Sequence, residues 1–343
     1  MIAGKDRQRL RRVQILAAVA VLVWGLILVE QWWHEPPDDQ HPLMGQPVLP
    51  EFSQINSMID QIQIKLADKT YNLKRVESDW VMPEAGNYPV REDRMRELAT
   101  GLETLSYAER RTSNPEKYGL LGLESPQTGG NGVQLTLSGG GETLQFLTGR
   151  RDDRLYIRQL DQAQTYRVMG TLPPFYSEHA WLDFDILNLE SAAIHAVRLS
   201  DQTGLALYMN RPNGERGQRF TPAPPYQNAR VISRMGALST ALAISRFAPL
   251  DAKPADALTT DPIAVHISET FDGLEIEIRA YQEGDGGWVT LTAIEAGEGA
   301  RRAIAINQKA HGWAYRLSAY DFDDFTPELS SLVSWSDQDI SEP

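Results

Sequence analysis

The sequence predicts an α+β protein: an N-terminal transmembrane helix, then two related lobes, each a mainly antiparallel sheet with one main packed amphipathic helix. Three observations predict this. An uncharged apolar run follows a basic start. Beyond a proline-rich stretch, apolar and polar residues alternate in short runs bounded by Gly and Pro. Twice, at matching places, that period of two gives way to a helical period. A β-sandwich without helices is the competing architecture.

The first element rests on charge and length. Lys5, Arg7, Arg9, Arg11 and Arg12 stand against Asp6, no residue from Ile15 to Val29 is charged, and Trp32-Trp33 close the run. Val13 to Trp33 reaches the roughly 20 residues that a spanning helix needs. Cations before the run and Trp at its end suit a cytoplasmic N-terminus with indole rings among the headgroups. The following "LILVEQWWHEPP" lacks the small-residue cleavage site of a secretory signal. Residues 1–33 are therefore expected to anchor the chain once in an inner membrane, with the bilayer as its first partner and the body in the periplasm. Residues 34–50 carry prolines at 36, 37, 42, 47 and 50 and read as an extended spacer.

The first lobe is expected over residues 51–190. Ile62, Ile64 and Leu66 alternate, "KTYNLKRV" makes a second strand, and Trp80 and Met82 alternate in a third. After the Tyr88-Pro89 loop, Met95, Leu98, Leu102 and Leu105 form one apolar stripe of a helix. "VQLTL", "LQFLTG", "LYIRQL" and "TYRVMG" follow as strands.

The second lobe, residues 191–343, repeats that order. Two strands begin at Ile194, a short third strand and a Pro-rich loop follow, and Val231, Met235, Leu238 and Leu242 restate the helical stripe. "IAVHIS", "LEIEIRAY", "WVTLTAI" and "AIAIN" read as further strands, and Tyr315-Arg316-Leu317 echoes Tyr166-Arg167-Val168. Phe220 stands where the first copy has Trp80, and Pro222, Pro224, Pro225 and Tyr226 stand where it has Pro83, Tyr88 and Pro89. The carboxylates of the first loop are not repeated. The aromatic is expected to pack under the helix, and the loop to be structural.

These residues also carry a resemblance. "YNLKRVESDWVM", the Pro/Tyr loop and helix, and "EKYGLLGLESP" with Tyr118, Gly119, Leu120 and Pro126 resemble the bacterial DUF4340 family. The likeness implies an envelope protein, often encoded beside ABC-transporter components, and implies no catalytic residues.

Composition bounds the chemistry. A net charge of −13 repels a phosphate backbone and excludes nucleic acid as a partner. Without cysteine there is no thiol catalysis, disulfide or Cys-ligated metal. His34, His41, His179, His195, His266 and His311 show no metal-ligand spacing, and His195 and His266 read as packed within sheets. Neither G-x-S-x-G nor S-x-x-K occurs, and the glycine runs lack the Lys-Ser/Thr of a phosphate loop. Asp321, Asp323, Asp324 and Glu328 offer oxygen ligands for calcium, but Thr326-Pro327 after the first three also reads as a helix start. Trp181, Trp288, Trp313 and Trp335 are either core or a sugar-stacking platform.

No catalytic, cofactor-binding or metal residue is assigned, and no cofactor is expected. The expected function is a non-enzymatic, membrane-anchored periplasmic accessory module, associated with an ABC-type transport or envelope-assembly system through an envelope protein partner. The alternatives are an extracytoplasmic enzyme acting on glycan or peptide, and a ligand- or calcium-binding sensor.

Overall fold

A computed structural model describes residues 42–213, 219–294 and 299–335. The expected membrane anchor lies outside the described residues, and among them no helix is long and apolar enough to cross a membrane.

The alternating runs of the first half become strands β1 (Ile59–Lys65), β2 (Thr70–Val76), β3 (Asp79–Met82) and β4 (Tyr88–Pro89). A short helix α1 (Phe52–Ile55) precedes them, and α2 (Glu92–Thr104) follows. Strands β5 (Ser106–Arg110), β6 (Val133–Gly139), β7 (Glu142–Arg151), β8 (Arg154–Gln159) and β9 (Tyr166–Met169) complete an antiparallel sheet in the order 4-3-2-1-6-7-8-9-5. Tight turns set the hairpins. Between β6 and β7, Gly140 and Gly141 both adopt positive φ, which only a residue without a Cβ does freely. On α2, Leu98 and Leu102 are buried and Leu105 is buried at its C-cap, as the stripe predicts.

In the second half run β10 (Ile194–Asp201), β11 (Ala206–Asn210), β12 (Thr221–Pro222), β13 (Arg230–Val231), α3 (Arg234–Ala241) and β14 (Asp251–Pro254). Next come β15 (Ala264–Thr270), β16 (Glu275–Glu283), β17 (Gly286–Ile294), α4 (Ala300–Ala310) and β18 (Trp313–Arg316). The described residues close with α5 (Ala319–Phe325), α6 (Leu329–Leu332) and β19 (Val333–Ser334). The second sheet has the order 12-11-10-15-16-17-18-14. Strand for strand this is the order of the first sheet, β10 standing for β1 and β14 for β5, with no counterpart of β4 paired at the edge. The architecture is thus two mainly antiparallel sheets with a few helices, and a helix-free sandwich is excluded.

The correspondence reaches single side chains. Lys74 pairs with Val81 and Arg75 with Trp80 on β2–β3, while Asn210 pairs with Thr221 on β11–β12. One step further along, the Arg75 guanidinium lies 5.0 Å from the Trp80 ring centroid and that of Arg211 lies 4.9 Å from the Phe220 ring. Each arginine covers an aromatic, Trp80 within the third strand of its half and Phe220 just before it.

Four expectations are corrected. "AIAIN" lies within α4, not a strand. Ala303, Ile306 and Ala310 recur at helical spacing and are buried, and the Asn307 amide bonds both the N–H and the C=O of Ala293. The second stripe also differs from expectation. Val231 belongs to β13, α3 buries Ala237, Thr240 and Ala241, and Met235 is 76% exposed. Asp321, Asp323 and Asp324 sit inside α5, capped by Ser318, and not before a helix; Thr326 ends that helix, with Glu328 at the N-cap of α6. Finally, the Pro-rich spacer is not free up to Pro50. Gly45 and Val48 donate to the carbonyls of Tyr107 and Leu105, and Val48 is buried. Edge strand β5 had open backbone groups, and this segment satisfies them.

One continuous apolar core runs under both sheets. Its junction is aromatic. Tyr88 of the first half meets Trp313 and Tyr315 of the second edge-to-face at 4.8 and 6.1 Å, with Phe184 at 5.4 Å. The segment that joins the halves seals the outside of β4, with Arg91 donating to the Trp181 carbonyl and Asp183 to that of Pro89.

Candidate functional site

In each half the main helix, the third strand and the segment before the first strand enclose a hollow. In the first half it is nearly filled, a pocket of about 220 Å³ into which Phe52, Trp80, Met95, Leu98 and Leu102 project. The expectation that Trp80 packs against the helix holds. In the second half the equivalent hollow is a cavity of about 1300 Å³. The difference follows from residue size and length. Helix α3 has 8 residues where α2 has 13. The small Ala237 faces the hollow, and Phe220 replaces the larger indole.

The wall of this cavity is divided by chemistry. Leu189, Phe220, Val231, Leu238 and Leu242 make an apolar floor, with the exposed Met235 at its mouth. Arg211, Arg219, Arg230, Arg234 and Arg246 surround it, against one carboxylate among the described residues, Glu190. In a chain of net charge −13 this is a local reversal of sign. Arg246 is neutralised by Asp324 at 2.7 Å. The other four have no carboxylate partner among the described residues. Arg211 is the unusual one, since it is only 4% exposed. Its Nε donates to the Ile194 carbonyl at 2.8 Å and its Nη2 to that of Ser191, both neutral acceptors. Burial pushes its guanidinium below the ordinary value.

A family model described as a domain of unknown function (DUF4340) matches residues 80–262, more than half of the chain. The chain belongs to the DUF4340 family. No curated protein and no solved structure matches it. The matched span of this DUF4340 chain runs from Trp80 on β3 past α3, so it contains every described residue that lines the large cavity. Tyr118 of the "YGL" step serves packing, its hydroxyl donating to the Ala163 carbonyl at 2.6 Å in a small separate cluster with Leu123, Leu147 and Tyr156.

The other candidates of the DUF4340 chain do not converge. His266 is buried beneath α3, where its Nε2 donates to the Thr240 carbonyl at 2.9 Å, and His195 donates from Nδ1 to the Arg211 carbonyl. Because a carbonyl only accepts, these bonds fix the protonated nitrogen of each ring. Trp181 is buried against Tyr71 and Phe175, Trp313 packs on Tyr88, Trp335 on Tyr226, and Trp288 lies under the Lys253 ammonium. Four separate settings do not make a stacking platform.

Carboxylates are likewise engaged. Glu269 and Glu275, opposite each other on β15 and β16, share the Arg198 guanidinium at 2.9 and 2.8 Å. In the cleft between the halves, Arg91 pairs with Asp93 and Lys309 with Asp183. Asp321 accepts from Ser318, Asp324 from Ser239 and Arg246, and Asp323 points to solvent. Among the described residues no group of three potential ligands is placed to hold a metal ion. Substituting Asp321, Asp323 and Asp324 together by Asn is expected to cost about 1 kcal/mol through the weakened Ser318–Asp321 side-chain bond and the lost half-buried Arg246–Asp324 pair, while the Ser318 cap stays. Calcium should leave the melting temperature of the unsubstituted protein unchanged, and a calcium-dependent rise lost in the triple variant would overturn this reading.

Sequence reasoning missed the arginines because they are dispersed along loops and strand ends. A signal was present: residues 211–234 carry Arg211, Arg216, Arg219, Arg230 and Arg234 against the single acid Glu215.

Proposed function

We propose that this protein is a non-enzymatic accessory module, anchored in the inner membrane with its body in the periplasm, that serves an ABC-type transport or envelope-assembly system by binding. The two sheets are a duplicated unit, one copy closed and structural, the other opened for binding. The observation that carries this reading is the arginine-bordered cavity of the second half, standing where the first half fills the same hollow with Trp80 and Met95. A large apolar concavity with a few convergent polar groups is the usual form of a binding site. Its described residues include no pair of carboxylates and no nucleophile beside a base, which supports binding over turnover. The membrane placement rests on the basic start and apolar run of residues 1–33, and the link to transport on the DUF4340 resemblance.

Two measurements test the proposal. A phosphatase that is active only outside the cytoplasm, fused after Pro343, should be active in cells; an inactive enzyme would remove the topology. A photo-crosslinking residue at Ile232, exposed beside α3, should trap an envelope protein, and one at Val76, exposed on the first sheet, should not. Equal adducts at both positions, or none at either, would remove the accessory-module reading.

A further inference from the structure

The geometry points to an anionic amphiphile, one acyl chain carrying a phosphate head, as the ligand of the cavity between β12, α3 and residues 189–192. This inference rests on the binding-module reading above and names its ligand class. At about 1300 Å³ the space exceeds the roughly 300–1000 Å³ of ordinary small-molecule sites. Its floor is a connected apolar surface of Leu189, Phe220, Val231, Leu238 and Leu242, which an acyl chain covers without unmet hydrogen bonds.

The head is chosen by charge. Arg211, Arg219, Arg230 and Arg234 approach the cavity with no carboxylate partner among the described residues. Arg211 is held in place by two backbone carbonyls and the Phe220 ring, so it is buried, oriented and, among the described residues, without a counter-charge. A buried cation of this kind is costly until an anion meets it, and a planar guanidinium suits phosphate oxygens. An extended peptide fits less well. The open edge of β12 carries Pro222, which has no N–H to offer an added strand. The first sheet seats β4 at that edge; among the described residues no strand pairs with it in the second.

The test uses the full chain in a nonionic detergent, with bound mass read by native mass spectrometry. Oleoyl lysophosphatidic acid should bind one per chain, about tenfold or more tighter than oleoyl lysophosphatidylcholine, whose chain is the same and whose head is zwitterionic. Arg211→Gln should weaken the anionic lipid by about tenfold and the zwitterionic one, whose phosphate is partly neutralised by its own choline, by clearly less. Because Arg211 is buried, a second variant, Arg219→Gln with Arg234→Gln, alters only exposed side chains and should show the same selective loss at an unchanged melting temperature. Equal binding of the two lipids, or full affinity in both variants, would overturn the inference. So would complete competition by inorganic phosphate, which marks a small-anion site, or tighter occupancy by a synthetic peptide of residues 336–343, whose Asp337, Asp339 and Glu342 also suit the arginines. If neither lipid bound while Ile232 still trapped an envelope protein, the module reading would stand and the amphiphile would fall.

Discussion

Tyr88→Ala is expected to lower the unfolding free energy by about 4 kcal/mol, the loss typical of a large aromatic removed from a core. Tyr88 is 1% exposed and lies where both halves meet, touching Phe184 of the joining segment and Trp313 and Tyr315 of β18. Its hydroxyl donates to the Asp183 carbonyl at 2.9 Å, and burial raises the phenol's pKa well above its ordinary value. Truncation therefore removes ring contacts from both sheets at once and leaves a carbonyl without its donor. Tyr88→Phe keeps the ring and should cost only about 1 kcal/mol. Urea unfolding of the full chain, followed by tryptophan fluorescence, separates the two variants. Because Trp181 and Trp313 flank the junction, loss of cooperativity would show as two transitions. If Tyr88→Ala cost less than about 1 kcal/mol, the junction would not be what couples the halves.

The second large effect is acid destabilisation through His266. The ring is 1% exposed on β15, between the Thr240 carbonyl of α3, Ser268 and the edge of Phe325, with the Asp324 carboxylate the nearby opposing charge. Burial pushes its pKa down to about 4, only partly offset by its hydrogen bonds and Asp324. The folded protein thus holds a neutral ring well below the unfolded chain's value of about 6.5. Above that value neither state binds the proton, so stability is unaffected. As pH falls from about 6.5 toward 4, the unfolded state takes up a proton that the folded state refuses. Stability should fall by about 2 kcal/mol by pH 5 and about 3 kcal/mol by pH 4. Equilibrium unfolding across this range reads the loss. His266→Gln, less stable at neutral pH, should have a flat profile down to pH 5. An equally steep profile in that variant would assign the acid sensitivity elsewhere.

Much of the fold is legible in local pattern. Alternation at Ile62, Ile64 and Leu66 places β1, and the stripe of Leu98, Leu102 and Leu105 places α2, because strand and helix periods are properties of neighbouring residues. The repeat was legible for the same reason, and the match of Trp80 to Phe220 survives to the arginine that covers each ring. Local pattern failed where it was ambiguous. Ala303 to Asn307 is short and Ala-rich enough to fit either period, and only the docking of Ile306 and Asn307 on β17 decides for helix. Val231 to Leu242 matched a stripe in spacing, yet the buried face is that of Ala237, Thr240 and Ala241, because Phe220 and the shortened helix leave the larger side chains beside a hollow.

By itself, then, the sequence determined the class of the fold, the recurrence of its element order, the identity of most strands and the DUF4340 membership, all carried by residues close in the chain. Only the tertiary structure decided that one copy of the repeated hollow is filled and the other open. It also decided that Arg211, Arg219, Arg230 and Arg234, up to 23 positions apart, border one cavity. A cavity is the space left by side chains from separate elements, and its charge is the sum of groups that only folding brings together. Neither quantity has a period for a linear pattern to reveal.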